Sequence, residues 1–498
     1  MAKSIKKNTI YNGLHILSGL VMSLFTAPYV NRVLGVENIG LFNFAHSVLS
    51  FVLVFSGLGL AMVAVREISR NREDNEKIKI IFSSVLVASV TASLIVFIPY
   101  LLFAVFFAPF ENIRVLLLLF IISLALNSLN TEWLFTGLEN FGYIAVRSVT
   151  LRLLSVVALF IFVRSESDLI IYTVITIAAL CGLHLLNIGK GIKIVGFSFK
   201  RIRPLHFAWL AKIFFIQGIV VSTYQILDRM ILGIFSVYDV GLYAVARNIV
   251  FIAITIMLVL PNTIAPRSAL LYQNDKDQYR SLLKKAFTLT MYALVPACIG
   301  IFVLSSNLIG FMGGEQFSDA IILLRILSFL PLLICVAGFI HVNVSVPAGR
   351  ERNTLIANIA VAVVSLTINL AFVRTFGGRA ASVALLAGEA LGLVIMIFLV
   401  LKQKILPNIL SFSIFKFVFS GVIMAIALFF ISPLISLGNV IDLIILASAG
   451  VVIYFVMNFL ISLIFKKEDE VMILIKQTLW RKKIETVAVN EAQAEEIK

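Results

Sequence analysis

Charged residues are scarce in this sequence: Asp, Glu, Lys and Arg make up only 13% of its 498 residues. Soluble globular domains contain about 25% charged residues, whereas 60% of this chain is hydrophobic and its mean hydropathy is +1.05. These values exclude a soluble globular protein and indicate many membrane spans in one body. We therefore expect an all-α polytopic membrane protein.

The sequence also lacks the patterns that carry catalysis or bind metals. It contains no Gly-x4-Gly-Lys-Ser/Thr phosphate loop, no His/Cys/Asp cluster with metal-ligand spacing, and no readable Ser–His or Cys–His arrangement. Cys181, Cys298 and Cys335 lie in apolar segments and predict small core residues, with no disulfide or metal role. We therefore expect no enzyme activity, cofactor or metal.

Long apolar stretches dominate what is present, and a membrane span takes about 20 mostly apolar residues. The N-terminal sequence MAKSIKKNTIYNGLHILSG runs straight into a full-length span, so no cleavable signal peptide is apparent. Fourteen spans are predicted, with bounds at 10–31, 40–65, 80–107, 114–136, 143–164, 168–189, 207–235, 240–262, 284–311, 320–346, 354–374, 379–401, 413–433 and 440–465.

Lys and Arg are concentrated at the N-terminus, in every second loop after it except 137–142, and at the start of the C-terminal tail. Because Lys and Arg favour cytoplasmic loops, this asymmetry predicts that both termini are cytoplasmic. It also explains the net charge of +15 without a nucleic-acid partner. The intervening loops have about ten residues or fewer, which leaves no room outside for a folded domain. The tail is predicted to be an interfacial amphipathic helix with a disordered end.

Two segments of the chain repeat each other, since Asn31–His46 aligns with the end of 217–247 when Gly40 is set on Gly241. Two six-span lobes in the same orientation are therefore predicted, followed by two extra spans. Parallel repeats of this kind are a transporter architecture with the substrate site between the halves. The predicted divisions are 1–206 (spans 1–6), 207–405 (spans 7–12), 406–465 (spans 13 and 14) and 466–498 (the cytoplasmic tail).

Polar side chains form stripes at helical spacing in spans 1 and 7. Such a stripe favours a face that lines a cavity, although helix–helix hydrogen bonds explain it without one. The candidates for contact with a substrate are Asn12, His15, Gln217, Tyr224 and Asp228.

Arginines occur at membrane depth, where a charge costs about 2.5–3.5 kcal/mol on insertion scales. Arg152 and Arg247 lie well inside spans 5 and 8, so we expect them to face an aqueous cavity or to pair. Arginine suits phosphate, because its planar fork binds two oxygens at once. Arg147 and Arg32 are further candidates, but both can equally snorkel to an interface.

Acidic residues at membrane depth are fewer. Asp228 and Arg229 end span 7 side by side and form either part of the cavity or a structural helix-end pair. Glu389 lies near the middle of span 12, and burial would raise the pKa of such a carboxyl. It is therefore either a site for a coupling ion, a proton or sodium, or a neutral acid that never titrates.

Two segments carry a resemblance to a known family, NRVLGVENIGLFNFAHSV after the polar first span and EWLFTGLENFGYIAV at the end of span 4. They resemble the polysaccharide transporter branch of the MOP superfamily over essentially residues 1–465. The resemblance implies a Wzx-type flippase, which moves an undecaprenyl-pyrophosphate-linked oligosaccharide (an O-antigen, capsule or exopolysaccharide unit) across the bacterial inner membrane. It further implies a cationic central cavity, and Arg152 and Arg247 match this cavity by position. It also implies alternating access driven by an ion gradient, and polysaccharide assembly proteins as partners.

Two other functions share some of these features. A MATE-like cation-coupled drug antiporter has the same architecture, but its cavity should favour carboxylates, and this chain has more arginine than acid at that depth. A membrane polysaccharide ligase or polymerase would need a sizeable outside loop. The short outside loops argue against such an enzyme.

Overall fold

The structure, a computed structural model, describes residues 5–107, 111–407, 412–435 and 438–465. Within these residues the chain is helical and contains no β-strand. Twelve helical stretches in this part of the chain are long and apolar enough to cross a membrane. The prediction of an all-α, multi-pass membrane protein is confirmed, while the predicted tail at 466–498 lies outside the described residues.

Seventeen α-helices lie in the described ranges, joined by short turns and by π-helical or 3₁₀ segments. They are α1 (Ile5–Gly57), α2 (Leu60–Arg70), α3 (Asn75–Leu102), α4 (Glu111–Asn127), α5 (Glu132–Gly137), α6 (Phe141–Phe162), α7 (Leu169–Val195), α8 (Pro204–Phe235), α9 (Val237–Met257), α10 (Val259–Asn274), α11 (Lys276–Val303), α12 (Ser305–Met312), α13 (Ala320–Leu327), α14 (Leu330–Ile340), α15 (Arg352–Lys402), α16 (Phe412–Ile431) and α17 (Asn439–Phe465).

Helices α1 and α15 each contain two predicted spans. They have 53 and 51 residues, far more than the roughly 20 that cross a bilayer. Each is interrupted by one glycine with non-helical backbone angles, Gly35 (φ 77°) and Gly377 (φ 53°). These glycines fall between predicted spans 1 and 2 and between spans 11 and 12, so the twelve stretches accommodate the fourteen predicted spans.

The predicted end of span 2 at residue 65 is wrong. The helix stops at Gly57, because Leu58 and Gly59 both have positive φ, and the amphipathic helix α2 begins at Leu60. Its apolar face, which includes Ile68, is buried in a cluster with Phe82 and Trp133. Hydropathy alone does not distinguish the end of a span from the apolar face of a short helix that follows it, and this explains the error.

The chain divides into two compact units by its internal contacts. One unit comprises Met1–Asn248, Ile309–Leu323 and Asn358–Gly388, and the other comprises Ile249–Leu308, Leu324–Ala357 and Glu389–Lys498. The first contains the cluster around α2. In the second, Tyr292 packs against Phe417 and Tyr454 at ring distances of 5.1 and 5.4 Å. The lobes at 1–206 and 207–405, which follow the sequence repeat, stay a prediction.

The two copies of the repeated segment contact each other reciprocally in the first unit. A Cβ atom on Gly40 would overlap the carbonyl oxygen of Val237, and one on Gly241 would overlap that of Val36. Gly40 aligns with Gly241 and Val36 with Val237 in the same ungapped register. Two helical segments therefore cross so closely that only glycine fits at either contact, in the manner of small-residue interfaces in membranes.

Candidate functional site

A buried carboxylate lies between two guanidinium groups where spans 7 and 8 meet. Asp228 Oδ2 is 3.9 Å from Arg247 Nε, and Asp228 Oδ1 is 4.0 Å from Arg229 Nε. The Asp228 side chain is fully enclosed, and those of Arg247 and Arg229 are only 10% and 17% exposed. We call Asp228, Arg229 and Arg247, with Tyr243 and the Gln225 carbonyl group, the span 7/8 cluster.

Hydrogen bonds fix the positions of these charges. Asp228 Oδ2 accepts a hydrogen bond from the Tyr243 hydroxyl at 2.6 Å, and Oδ1 accepts one from the Arg229 backbone N–H at 2.7 Å. Both guanidinium groups turn toward one carbonyl oxygen, since Nη2 of Arg247 and of Arg229 donates to Gln225 at 2.9 and 3.4 Å. Two like charges are thereby brought together at one point inside a membrane segment.

The turn between the two helices positions the cluster. Helix α8 ends at Phe235, Ser236 is extended, and the Ser236 hydroxyl accepts the Asp239 N–H at 3.1 Å as α9 begins. The close contact of Gly241 with Val36 then fixes the start of α9. Further along α9, Tyr243 and Arg247 both project toward Asp228 on α8, because residues four apart share a helix face.

A third arginine, Arg147 on α6, has three hydrogen-bond partners in the protein. It donates to Glu132 Oε2 at 2.7 Å, to Ser148 Oγ at 3.1 Å and to Asn187 Oδ1, and its side chain is 2% exposed. Its guanidinium also lies 5.6 Å from the Tyr143 ring. These contacts account for the charge without a substrate.

Arg152, further along α6, faces the first helix. Its Nη1 donates to the His15 carbonyl oxygen at 2.6 Å and to Ser18 Oγ at 2.8 Å. Gly19 leaves the space that the guanidinium occupies, since a Cβ there would lie 3.1 Å from Nη1. The structure therefore brings Arg152 against span 1 at His15, Ser18 and Gly19, and two of these contacts are helix–helix hydrogen bonds.

Arg32, another predicted candidate, is exposed and donates to the carbonyl oxygens of Gly310 and Phe311 at 2.9 and 3.1 Å. These are carbonyl groups in the last turn of α12, which such a donor stabilises. The neighbouring Asn31 side chain donates to Met312 in the same way, at 2.8 Å. The contacts of Arg32 thus belong to a helix cap.

The remaining candidates lie on the same or other helices. Tyr224 is buried and Gln217 is exposed on α8, and Glu389 is half-buried on α15. The backbone of Asn12 is part of α1, but its side chain lies outside what the structure describes. None of these side chains has been tested as a site residue, and they stay predictions.

Three polar residues with partners in other helices were missed by sequence reasoning. Glu132 and Asn187 are partners of Arg147 in other helices, and pairing at such separations leaves no local pattern. Lys416 is buried in α16 and donates to Ser462 at 2.6 Å. Its position in the apolar run FSIFKFVF could have identified it.

No candidate metal site occurs in the ranges that the structure describes, because no group of three or more His, Cys, Asp or Glu residues there could hold an ion. Cys181, Cys298 and Cys335 are buried and free, which agrees with the prediction of small core residues.

Sequence comparisons match this chain to one protein family and to relatives that are named as a transporter and a flippase. The model of a family described as "Polysaccharide biosynthesis protein" matches residues 5–271. A protein of Escherichia coli (strain K12) with the provisional name O-antigen transporter is 25% identical over 422 residues, covering 81% of this chain and 98% of that protein. A protein of Haloferax volcanii, named as a probable low-salt glycan biosynthesis flippase, is 27% identical over 242 residues, 46% of this chain and 49% of the other.

Solved structures show the same fold. The lipid II flippase MurJ in an inward closed conformation superposes with a TM-score of 0.72 at 14% identity, over 92% of this chain and 100% of MurJ. A MATE transporter in a bent conformation superposes with a TM-score of 0.54 at 16% identity, over 79% of this chain and 93% of the other. At these identities the likeness is one of fold alone.

Proposed function

We propose, from the premise that this chain belongs to the polysaccharide biosynthesis protein family, that it moves a lipid-linked oligosaccharide across a membrane. The family match confirms the resemblance found in the sequence. The names of the two relatives, an O-antigen transporter and a glycan biosynthesis flippase, support this function, and the chain has the fold of a lipid II flippase.

The observation that carries the proposal is the convergence of Arg229 and Arg247 on the Gln225 carbonyl oxygen. Two guanidinium groups repel each other, and each is costly at membrane depth. Such an arrangement is useful where an anion must be bound, and guanidinium forks match phosphate oxygens. A diphosphate that joins a glycan to a polyprenyl tail has this chemistry, and its tail need never leave the bilayer.

We assign three roles within this function. Arg229, Arg247 and Arg152 bind the diphosphate, Asp228 holds the two arginines of the span 7/8 cluster together, and Tyr224 with other polar side chains contacts the glycan. Alternating access moves the bound headgroup between the two sides, driven by an ion gradient. The protein works without catalysis, lies in the bacterial inner membrane with both termini cytoplasmic, and cooperates with polysaccharide assembly proteins.

A liposome assay tests the proposal. Undecaprenyl-pyrophosphate-linked oligosaccharide is placed in the inner leaflet, and glycan exposure outside is followed with a membrane-impermeant glycosidase. We expect exposure with the wild-type protein, and its loss in Arg152→Ala and Arg247→Ala variants that remain folded. Arg280→Ala is the matched control, since Arg280 is exposed in a surface pair with Asp277 and its loss should leave transport unchanged.

Glu389 is our candidate for the coupling site. If a proton or sodium ion binds its carboxylate during transport, Glu389→Gln should remove the dependence of glycan exposure on an imposed gradient. Exposure by Glu389→Gln is to be compared with wild type at several pH and sodium gradients. An unchanged dependence would remove Glu389 from the coupling mechanism.

A second candidate function, a cation-coupled drug antiporter, is favoured by the shared fold with the MATE transporter. Such a protein would export cationic dyes from liposomes and would ignore the lipid-linked glycan. Dye efflux without glycan exposure would replace our proposal with this alternative.

A further inference from the structure

The hydrogen bond between Tyr243 and Asp228 is buried in the first compact unit. The ring of Tyr243 is fully enclosed, as is the Asp228 carboxylate, and the two oxygens are 2.6 Å apart. The other carboxylate oxygen accepts the Arg229 backbone N–H at 2.7 Å. Each oxygen of Asp228 therefore receives a hydrogen bond from a neutral donor, although two cations lie beside it.

The cations stay back from this carboxylate. A hydrogen-bonded Arg–carboxylate pair has N–O distances of roughly 2.7–2.9 Å, whereas the distances here are 3.9 Å to Arg247 and 4.0 Å to Arg229. Both guanidinium groups instead donate to the Gln225 carbonyl oxygen. The carboxylate attracts the two arginines by its charge but does not form a direct hydrogen-bonded pair with either side chain.

We propose that Tyr243 is a positioning residue: its hydroxyl holds the Asp228 carboxylate back from Arg247, so that the guanidinium keeps the orientation in which it meets an anionic substrate. This inference rests on the proposed function and extends it to a residue that touches no substrate. Without the hydroxyl, Asp228 Oδ2 would be a buried acceptor without a donor, which is costly. Rotation of the Asp228 carboxylate toward Arg247, 3.9 Å away, would give Oδ2 a replacement donor.

The direct pair formed in that way would compete with the substrate. An anion would have to displace the Asp228 carboxylate before it could bind the Arg247 guanidinium. This displacement is costly, because it leaves the buried carboxylate without its partner. Tyr243→Phe, which removes a single oxygen atom, should therefore weaken binding of the anion rather than unfold the protein.

The test measures binding of undecaprenyl diphosphate, without a glycan, to the purified full-length protein in lipid nanodiscs. We expect the dissociation constant of Tyr243→Phe to be about tenfold higher than that of wild type, on the order of the effect of one hydrogen bond to a charged group. Thermal unfolding of each variant shows whether it is folded.

The matched control is Tyr100→Phe. Tyr100 is also a buried tyrosine of the first unit, and its hydroxyl donates to a backbone carbonyl group, that of Leu117, at 3.0 Å. The substitution removes the same atom from a similar environment but leaves the arginines untouched. Its dissociation constant should equal that of wild type.

A double variant separates positioning from general structural support. In the Tyr243→Phe background, Asp228→Asn removes the competing charge, so the double variant should bind within about twofold of Asp228→Asn alone. Such non-additivity marks residues that act through each other. If the two losses simply multiply, Tyr243 supports the fold and does not restrain Asp228.

The outcomes distinguish this inference from the proposed function. A wild-type protein that does not bind undecaprenyl diphosphate overturns the diphosphate site and with it the positioning role of Tyr243, whereas the proposed function is decided separately by glycan exposure in the liposome assay. A wild-type protein that binds it, with Tyr243→Phe unchanged, overturns only the positioning role of Tyr243.

Discussion

Single arginines in the spans differ by what surrounds them. Arg147 has three hydrogen-bond partners in the protein and almost no exposure, whereas Arg229 and Arg247 share one carbonyl acceptor beside one carboxylate. Their positions in the sequence look alike, since each is a basic residue in an apolar run. The partners that tell them apart come from distant parts of the chain, and this is why the sequence left Arg147 open between the cavity and an interface, and Arg229 open between the cavity and a helix-end pair.

Arg147→Ala should lower stability rather than affect substrate binding. Removing one member of a buried pair leaves its partners without a donor, which costs about 3–5 kcal/mol for a fully buried pair. The loss here should be smaller, because the Glu132 side chain is 40% exposed and water can replace the lost donor. We expect a clear fall in the melting temperature of the purified protein.

Arg152→Ala serves as the comparison, because Arg152 lies on the same helix with two hydrogen-bond partners in α1. It should lose transport with a smaller fall in melting temperature. The division between structural and substrate-binding arginines fails if Arg147→Ala melts like wild type, or if its undecaprenyl diphosphate binding is lost in a protein of unchanged stability.

Helices and their ends were predictable to different degrees. The spans could be predicted because about 20 apolar residues in sequence are sufficient to cross a bilayer. The breaks at Gly35 and Gly377 fell between predicted spans for the same reason. Helix α2 could not be separated from span 2, since its apolar face continues the run of hydrophobic residues and only the positive φ of Leu58 and Gly59 ends the helix.

The repeat was also predictable, but its structural meaning was not. Aligning Gly40 with Gly241 showed that two segments are similar; it did not show that each glycine meets the backbone of the other copy. The spacing of residues within one segment contains no information about which distant segment it packs against. The reciprocal crossing is therefore a finding of the structure.

Gly241→Ala should destabilise the protein, because the added methyl group would overlap the Val36 carbonyl oxygen and force the two segments apart. Gly300→Ala is the matched control: Gly300 also lies within a helix, but nothing is within 4 Å of a Cβ at that position. There the change should be neutral or stabilising by up to about 1 kcal/mol, from the higher helix propensity of alanine.

Melting temperatures of the two purified variants check this prediction. We expect a fall for Gly241→Ala and none for Gly300→Ala. Equal melting temperatures would mean that the crossing can widen by a methyl group at no cost, and close contact between the repeats would then not be required for the fold.

For the molecule as a whole, the architecture was more predictable than the site. Fold class and spans depend on hydrophobicity summed over many residues, and errors at single positions average out. The site depends on a few side chains, and one unforeseen partner changes its interpretation: the pairing of Asp228 with Tyr243 across two helices has no local pattern. The orientation in the membrane lies between these cases, because it follows from the sum of charges in short loops.

That orientation gives the last prediction. Ser167 is exposed in the turn between α6 and α7, and the side chain of Asp277 is 92% exposed near the start of α11. The distribution of Lys and Arg predicts that the loop with Ser167 lies outside and that the loop with Asp277 lies in the cytoplasm. A membrane-impermeant thiol reagent applied to intact cells with a permeabilised outer membrane should therefore label Ser167→Cys, and should label Asp277→Cys only after the inner membrane is opened.

The native cysteines should add little background to this experiment, because Cys181, Cys298 and Cys335 are all buried. The unsubstituted protein measures whatever background remains. Labelling of Asp277→Cys in intact cells, with Ser167→Cys protected, would place both termini outside. The prediction of cytoplasmic termini, which rests on the distribution of Lys and Arg in the loops, would then be wrong.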